Sequence, residues 1–467
     1  MESKTPWLNR IKEIDELHLN TTLKNESGSR SLDKLISSGI HHSNLKKLLR
    51  CPALPPISND LIHLVIIPAA KEDEEILRPG IISLIEQEIS CKQILVTLAI
   101  EERAPATTKK AAEKLQKEFK NMFLDFLVVI HPSNLPGEAR VKGANASYAA
   151  THCTQYFQDN NIDLSNVIVS CFDADTVVDK KYFSALTYAF MTTPDREHAS
   201  YQPIPVYHNN IWTVPAFSRV METGSSFFQL IESTNPEKLV TFSSHSMSFK
   251  ALHDIGYWPK DMISDDSAIF WKAYIFYEGK YQVIPIYATL SMDATMAEDW
   301  KTTIKNIYKQ RRRWAYGVEN FPILIRGFLR SPNISVYNKI RHGFKMLEDH
   351  VSWATWGFLL TTMSWFPALI AGQQYNNSVL YYNEPHITRT IFQLSSISLF
   401  ISILLSIAML PEPKGDHKWA KKLGHIFEWL AIPFVLVGLS ALPALDAQTR
   451  LMFGKYMEFW VTDKTRK

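Results

Sequence analysis

A short apolar run ends in two carboxylates at Val167-Ile168-Val169-Ser170-Cys171-Phe172-Asp173-Ala174-Asp175. Its β-branched residues predict a buried strand. Such a strand delivers Asp173 and Asp175 to the rim of an α/β sheet, which is where these sheets bind ligands. Two carboxylates separated by one residue suit Mg²⁺ or Mn²⁺ that still carries waters and a diphosphate. The alternative interpretation is that the two aspartates cap the next helix.

Strands and helices alternate ahead of this run. Buried strands are predicted at 64–68, 93–100 and 126–130, with helices at 72–87 and 106–119 between them. A loop from residue 137 leads into a further helix, which ends near residue 150. This alternation is typical of a parallel, doubly wound α/β sheet. The chain contains neither GxGxxG nor GxxxxGK[ST], so the sheet carries no dinucleotide or P-loop fingerprint.

Length and composition limit the possible classes of protein. The chain has 467 residues, 46% of them hydrophobic, and a net charge of +3; this length predicts about two to four structural units. The four cysteines show no CxxC pairing, which argues against a zinc site or a disulfide framework and favours a reducing compartment. Residues 1–19 lack an apolar signal-peptide core, so we expect the start of the chain to stay in the cytosol.

The composition changes near residue 351. Val351–Ala371 and Ile391–Leu410 lack charged residues and have about the length that a bilayer requires. Ile426–Leu445 is a third apolar run, and Pro433 and Pro443 lie inside it. Each run could instead be a buried helix of a soluble protein. Three such runs in succession favour membrane helices.

The distribution of basic residues predicts the membrane topology. Many basic residues precede the first run, the loop 372–390 contains only Arg389, and the loop 411–425 contains four lysines. The charge rule therefore places the segment before the first run and the loop 411–425 in the cytosol. A third full crossing would leave the basic tail outside. Because proline breaks or kinks helices, we expect the third run to be a bent or re-entrant hairpin that returns the tail to the cytosol.

Two further motifs follow the first pair of aspartates. Asp265 and Asp266 form a second acidic pair after Ser264, and Asp266, at a predicted loop tip, is the best placed base for an acceptor hydroxyl. The alternative is that this pair only opens the following helix. The segment 241–249 is rich in hydroxyl residues, and His245 within it is expected to be a hydrogen-bonded structural residue rather than a metal ligand.

A basic helix is predicted at 300–317, and it carries Gln310-Arg311-Arg312-Arg313-Trp314. Arg313 can bind diphosphate or acceptor oxygens through its planar fork, and Trp314 offers a face for a sugar ring. Arg311 and Arg312 could instead meet lipid head groups, because this helix shortly precedes the membrane region. The alternative is a basic interfacial helix with an anchoring tryptophan.

The three motifs and the apolar runs that follow them resemble the membrane-bound members of glycosyltransferase family 2, which include cellulose synthase-like and hyaluronan synthase-like enzymes. The resemblance covers residues 61–320 and the membrane region. It implies a GT-A fold and a metal-binding DxD at Asp173 and Asp175. It also implies a catalytic base in the pair Asp265-Asp266, and a substrate-binding QxxRW motif formed by Gln310, Arg313 and Trp314.

Two other stretches depart from the family pattern, and a third resembles it. Pro68-Ala69-Ala70-Lys71-Glu72 keeps only the ends of Pro-x-Tyr-Asn-Glu, and Ile100-Glu101-Glu102 stands where an acidic Asp pair is usual. Residues 140–145, Arg-Val-Lys-Gly-Ala-Asn, resemble the Lys-x-Gly-Ala-Leu-Asn stretch. The resemblance therefore implies that Glu72, Glu101, Lys142 and Asp173 contact the nucleotide sugar. A solvated strand end is the alternative for Glu101.

We therefore predict an integral, multi-pass cell-membrane glycosyltransferase with a cytosolic catalytic domain. It inverts the anomeric carbon, uses Mg²⁺ or Mn²⁺, and moves a sugar from a nucleotide-diphosphate sugar to a growing polysaccharide. Single transfer to a lipid acceptor and an inactive nucleotide-sugar-binding subunit are the alternatives. Expected partners are a glycan or lipid acceptor and membrane lipids, without nucleic acid. The predicted segments are an N-terminal extension (1–59), a GT-A domain (60–328), interfacial and transmembrane helices (329–445) and a basic tail (446–467).

Overall fold

The structure is a computed structural model, and it describes residues 5–19, 32–362, 370, 372, 377–413 and 418–457. The chain forms two compact units. The sheet unit comprises Met1–Pro205, Glu232–Met292 and Arg326–Ser335, and the helical unit comprises Val206–Ile231, Asp293–Ile325 and Val336–Lys467. The predicted segment boundaries at residues 59, 328 and 445 stay predictions.

The sheet unit is built on eight strands. They are β1 (Ile62–Ala69), β2 (Ile94–Glu101), β3 (Asp125–His131), β4 (Val167–Cys171), β5 (Val177–Val178), β6 (Ala199–Val206), β7 (His245–Ser248) and β8 (Gln282–Ser291). Their order in the sheet is β3-β2-β1-β4-β7-β6-β8-β5. Strands β1 to β4 run parallel to one another, whereas β7 runs antiparallel to its neighbours β4 and β6. The predicted parallel α/β half is confirmed, and the second half completes a mixed sheet.

Sixteen helices are described. They are α1 (Trp7–Glu16), α2 (Leu32–Leu48), α3 (Glu74–Ile85), α4 (Ala106–Phe119), α5 (Lys142–Asp159), α6 (Tyr182–Thr192), α7 (Ala216–Glu232), α8 (Phe249–Asp254), α9 (Asp265–Phe276), α10 (Trp300–Ala315), α11 (Asn320–Arg330), α12 (Val336–Thr362), α13 (Val379–Met409), α14 (Lys418–Glu428), α15 (Ile432–Phe434) and α16 (Leu442–Met452). The predicted alternation of strands and helices up to residue 171 is observed. Its boundaries lie within a few residues of those expected, except that α5 continues to Asp159, beyond the end expected near residue 150.

The polar N-terminal segment packs onto the sheet unit through α6. The Trp7 ring lies 5.0 Å from the ring of Tyr188, and His41 Nδ1 lies 2.9 Å from the Tyr188 hydroxyl oxygen. Trp7 and His41 are both buried. Helices α1 and α2 thus cover one end of α6, a role that the sequence did not predict.

Strand β4 lies at the centre of the sheet, and all five of its residues are buried. This burial explains its continuous apolar sequence, because a central strand is covered on both faces. Helix α3 packs against the turn that follows β4. A Cβ atom at Gly80 would lie 2.7 Å from the Thr176 carbonyl oxygen, so only glycine allows this close approach.

The described residues of the helical unit contain two helices that are long and apolar enough to cross a membrane, Arg389–Met409 with a mean hydropathy of 2.1 and Trp419–Met452 with 1.9. The first matches the span predicted at Ile391–Leu410. The span predicted at Val351–Ala371 begins within α12, and residues 363–369 and 371 lie outside the described residues.

The hairpin predicted for the third run is wrong. The chain continues in helical turns from α14 through a short 3₁₀ turn, α15, a π-helical segment at Val435–Ala441 and then α16. Pro433 and Pro443 each lie in the first turn of a new α-helical segment. A proline needs no hydrogen-bond donor there, and the change of helix type absorbs its missing bond. The tail beyond residue 457, whose side of the membrane was predicted, lies outside the described residues.

Candidate active site

The turn after β4 presents the first pair of aspartates. The Thr176 amide donates to the Asp173 carbonyl oxygen at 2.9 Å, which closes the turn. The Asp173 amide donates to Ser244 Oγ, also at 2.9 Å. The Asp173 side chain is 29% exposed, whereas Asp175 is fully buried. The sequence placed both residues at this edge correctly, and their role as metal ligands stays a prediction.

Lys142, the first residue of α5, joins the two acidic motifs. Its Nζ atom lies 2.9 Å from Asp173 Oδ1 and 2.9 Å from Asp266 Oδ1. Burial lowers the pKa of Lys142, but the carboxylates of Asp173 and Asp266 outweigh this effect and hold the pKa well above its ordinary value. Lys142 is therefore an ammonium ion that brings together carboxylates 93 positions apart in the sequence.

The two residues of the second acidic pair lie in different environments. Both are in the first turn of α9, where a negative charge is favoured by the helix dipole. Asp265 is buried, whereas the Asp266 side chain is 27% exposed. A Cβ atom at Gly143 would lie 2.3 Å from the Pro259 carbonyl oxygen and 2.9 Å from Asp265 Cβ. The glycine after Lys142 therefore lets α5 approach this pair.

Hydroxyl residues that the sequence did not assign to the site contact both motifs. Ser243 Oγ donates to Asp173 Oδ2 at 2.8 Å, and Thr241 Oγ1 donates to the Asp266 carbonyl oxygen at 2.7 Å. His245 is buried, with Nδ1 3.0 Å from the Ser243 carbonyl oxygen, so it is hydrogen-bonded as predicted. The only sequence signal for this arrangement was the high content of serine and threonine between residues 241 and 249.

Glu72 and Glu101 make local contacts. Glu72 Oε2 accepts from the amides of Ala70 and Lys71 at 2.8 and 3.0 Å, and it thereby orders the loop between β1 and α3. Glu101 is buried at the end of β2 and pairs with Arg103. The solvated strand end considered for Glu101 is thus wrong. The predicted contacts of both residues with a nucleotide stay predictions.

The QxxRW motif lies on α10 in the helical unit. Gln310 is buried, and its Oε1 atom accepts from Thr295 Oγ1 at 2.8 Å. The Arg311 guanidinium lies over the Trp314 ring, 4.4 Å from its centroid. Arg311 therefore covers one face of the ring that was expected to receive a sugar. The substrate-binding roles of Gln310, Arg313 and Trp314 stay predictions.

The lipid contact considered as an alternative for Arg311 is wrong. Arg311 is buried, and its Nη2 atom lies 2.6 Å from Glu222 Oε2 on α7. Burial raises the pKa of Glu222, and Arg311 opposes this effect. Arg312 pairs with Asp446 on α16 at 2.8 Å. Both arginines thus fasten helices of the helical unit to one another.

The donor atoms at Asp173 and Asp175 fit a hard divalent cation that takes part of its coordination from a ligand. Among the described residues no group of three or more His, Cys, Asp or Glu side chains could hold a metal ion. Mg²⁺ is usually held by one or two carboxylates together with waters and substrate phosphates, rather than by a cage of protein ligands. Two aspartates, with waters and a diphosphate in the remaining positions, match that pattern.

Comparison with known proteins identifies relatives. The profile described as glycosyl transferase family group 2 matches residues 168–437, more than half of the chain. The poly-beta-1,6-N-acetyl-D-glucosamine synthase of Staphylococcus epidermidis is 26% identical over 259 residues, which cover 54% of this chain and 56% of that protein. The enzyme of the same name from Staphylococcus aureus is 29% identical over 164 residues, 34% of this chain and 36% of that protein. The chain thus spans about half the length of the Staphylococcus epidermidis relative and about a third of the Staphylococcus aureus relative.

A solved structure gives a weaker match. The mannosyltransferase of Pyrobaculum calidifontis, in complex with GDP-Man and Mn²⁺, is 13% identical and aligns over 92% of this chain and 99% of that chain, with a TM-score of 0.45.

Proposed function

Because this chain belongs to glycosyl transferase family group 2, we propose that it moves a sugar from a nucleotide-diphosphate sugar to a growing polysaccharide. The staphylococcal relatives are named as synthases of poly-beta-1,6-N-acetyl-D-glucosamine. The proposed donor is therefore a nucleotide-linked N-acetylglucosamine, and the proposed acceptor is the hydroxyl at the end of the growing chain.

The observation that most supports this proposal is the position of the Lys142 ammonium. Its Nζ atom lies 2.9 Å from a carboxylate oxygen of Asp173 and 2.9 Å from one of Asp266. In the proposed reaction, a cation held by one carboxylate neutralises the departing diphosphate, and a second carboxylate receives a proton from the acceptor hydroxyl. Asp173 and Asp266 are the proposed candidates for these two tasks, and both contact the same ammonium group. Lys142 has three N–H donors, and the two carboxylates use two of them. We propose that the third donates to a phosphate oxygen of the nucleotide sugar.

Asp173 and Asp175 would hold Mg²⁺ or Mn²⁺, which, when bound, neutralises charge on the departing diphosphate. Asp266 is the proposed base, because it is the more exposed member of its pair. The acceptor oxygen forms a bond with the anomeric carbon while the bond from that carbon to the diphosphate oxygen breaks. The acceptor proton passes to an Asp266 oxygen. Attack opposite the leaving group inverts the anomeric carbon and requires no covalent nucleophile.

We also propose that the chain is a multi-pass membrane protein with a cytosolic catalytic domain. Support comes from the two long apolar helices, Arg389–Met409 and Trp419–Met452, and from the basic residues before and between the predicted spans. A cytosolic domain would meet nucleotide sugars where they are made.

The test is a transfer assay with the purified full-length chain. UDP-N-acetylglucosamine and other sugar nucleotides are supplied with Mn²⁺ or Mg²⁺, and release of nucleoside diphosphate and product length are measured. The proposal predicts metal-dependent release and a product that lengthens with time. A product that stops after one sugar would indicate single transfer to an acceptor instead. Binding without release, across the whole panel, would indicate an inactive nucleotide-sugar-binding subunit.

A further inference from the structure

Two successive serines hold the side chain and the backbone of Asp173. Ser243 Oγ donates to Asp173 Oδ2 at 2.8 Å, and Ser244 Oγ accepts from the Asp173 amide at 2.9 Å. Ser244 Oγ also lies 3.0 Å from Thr176 Oγ1 in the same turn. Because Lys142 contacts the other carboxylate oxygen of Asp173, both oxygens are held in place.

Ser243 adopts a backbone conformation that is unusual for its residue type. Its φ is +50°, in the left-handed region that glycine enters readily and other residues rarely. Hydrogen bonds to the backbone of Phe242 and of Ser243 itself stabilise this conformation. The Phe242 amide donates to Gln202 Oε1 at 2.8 Å and the Phe242 carbonyl accepts from Gln202 Nε2 at 3.1 Å, while His245 contacts the Ser243 carbonyl oxygen.

We propose that Ser243 is a positioning residue that orients the Asp173 carboxylate for a divalent cation. This inference rests on the proposed function, because that function requires a divalent cation at Asp173. Glycine would suit the backbone at this position better than serine, so what serine adds is its hydroxyl. That hydroxyl makes a bond to an ionised carboxylate, which is a strong kind of hydrogen bond. The Met292 sulfur, 3.4 Å away, is a weaker acceptor.

The Asp173 carboxylate is held at two points. Lys142 and Ser243 contact different oxygens of it. Holding both oxygens removes rotation of the carboxylate, so less freedom is lost when the cation binds. Thr241, two residues earlier, fixes the Asp266 carbonyl oxygen. The segment 241–244 therefore sets the positions of the proposed metal ligand and of the proposed base together.

The test separates the hydroxyl from the backbone. Ser243→Gly removes the hydroxyl and relieves the left-handed backbone, whereas Ser243→Ala removes only the hydroxyl. Mn²⁺ affinity is measured calorimetrically on the full chain with UDP present, and thermal stability is measured without metal. Ser246→Ala is the matched control, because Ser246 is a buried serine on β7 that bonds Ser170 and Tyr182 but neither acidic motif.

We expect both Ser243 variants to raise the Kd for Mn²⁺ about tenfold, as for loss of a hydrogen bond to a charged group. Ser243→Gly should be at least as thermally stable as the wild type, and Ser246→Ala should keep the wild-type Kd. A wild-type Kd in both folded Ser243 variants overturns the inference, as does a wild-type chain that binds no divalent cation. If the wild type transfers no sugar while the Kd values change as expected, the proposed function fails and the role of Ser243 stands.

Discussion

Gly143 offers a sharp test of the geometry that joins the two acidic motifs. In Gly143→Ala the added Cβ would lie 2.3 Å from the Pro259 carbonyl oxygen and 2.9 Å from Asp265 Cβ, whereas ordinary contacts are 3.4–4 Å. The start of α5 must therefore move by about 1 Å. Such overpacking typically costs about 1–3 kcal/mol of unfolding free energy, which for a unit of this size is about 2–10 °C in Tm. A displacement of about 1 Å at reacting groups can lower the rate roughly 100-fold.

The assay pairs thermal unfolding with release of nucleoside diphosphate. Gly39→Ala is the control, because Gly39 also lies in a helix and a Cβ there would meet nothing within 4 Å. It should gain up to about 1 kcal/mol from helix propensity and retain wild-type transfer. A Gly143→Ala protein with wild-type Tm and transfer within about threefold of wild type would refute the argument that this glycine sets the position of Lys142.

Three further changes test other parts of the structure. Asp266→Asn should abolish transfer but preserve nucleotide-sugar binding by calorimetry; if Asp265→Asn abolishes transfer and Asp266→Asn does not, the base is misassigned. Arg311→Leu should cost about 3–5 kcal/mol in chemical denaturation by leaving Glu222 buried without its cation, and adding Glu222→Leu should restore most of that loss; an unaffected single variant would contradict the buried pair. Burial lowers the pKa of His63 from 6.5 to about 3, so below pH 6.5 the unfolded chain binds a proton that the folded chain does not, and stability falls by about 1.4 kcal/mol per pH unit between pH 6.5 and about pH 3. Stability measured against pH should fall less steeply in His63→Gln, and identical curves would argue against this account.

The sheet up to β4 could be predicted because its signals are local. Each strand there is a short apolar run, and each intervening helix shows its own periodicity. Parallel strands end at one edge, so Asp173 and Asp175 could be placed at the ligand-binding rim from strand direction alone. Asp266 could be named as the candidate base because an acidic pair after Ser264 is visible in a few residues.

The contacts that complete the site could not be predicted in this way. The Ser243 hydroxyl bonds a carboxylate 70 positions away, and hydroxyl-rich segments have no periodicity that reveals their partners. Lipid head groups were considered for Arg311 because its helix shortly precedes the membrane region, yet Arg311 pairs with Glu222, 89 positions earlier. The third apolar run was expected to reverse at its prolines, but π-helical and 3₁₀ turns accommodate them.

The sequence by itself determined the α/β class, the place of the first acidic pair and the apolar character of the C-terminal helices, because these depend on residue type and on spacings of a few residues. Only the tertiary structure decided that Lys142 bridges Asp173 and Asp266, that Ser243 and Thr241 hold the two acidic motifs, and that Arg311 is buried. Such pairings arise when distant segments pack together and exclude water. Each buried charge or hydroxyl then needs a hydrogen-bond or ion-pair partner. Which residue becomes that partner depends on how distant segments pack, and local sequence patterns do not predict this.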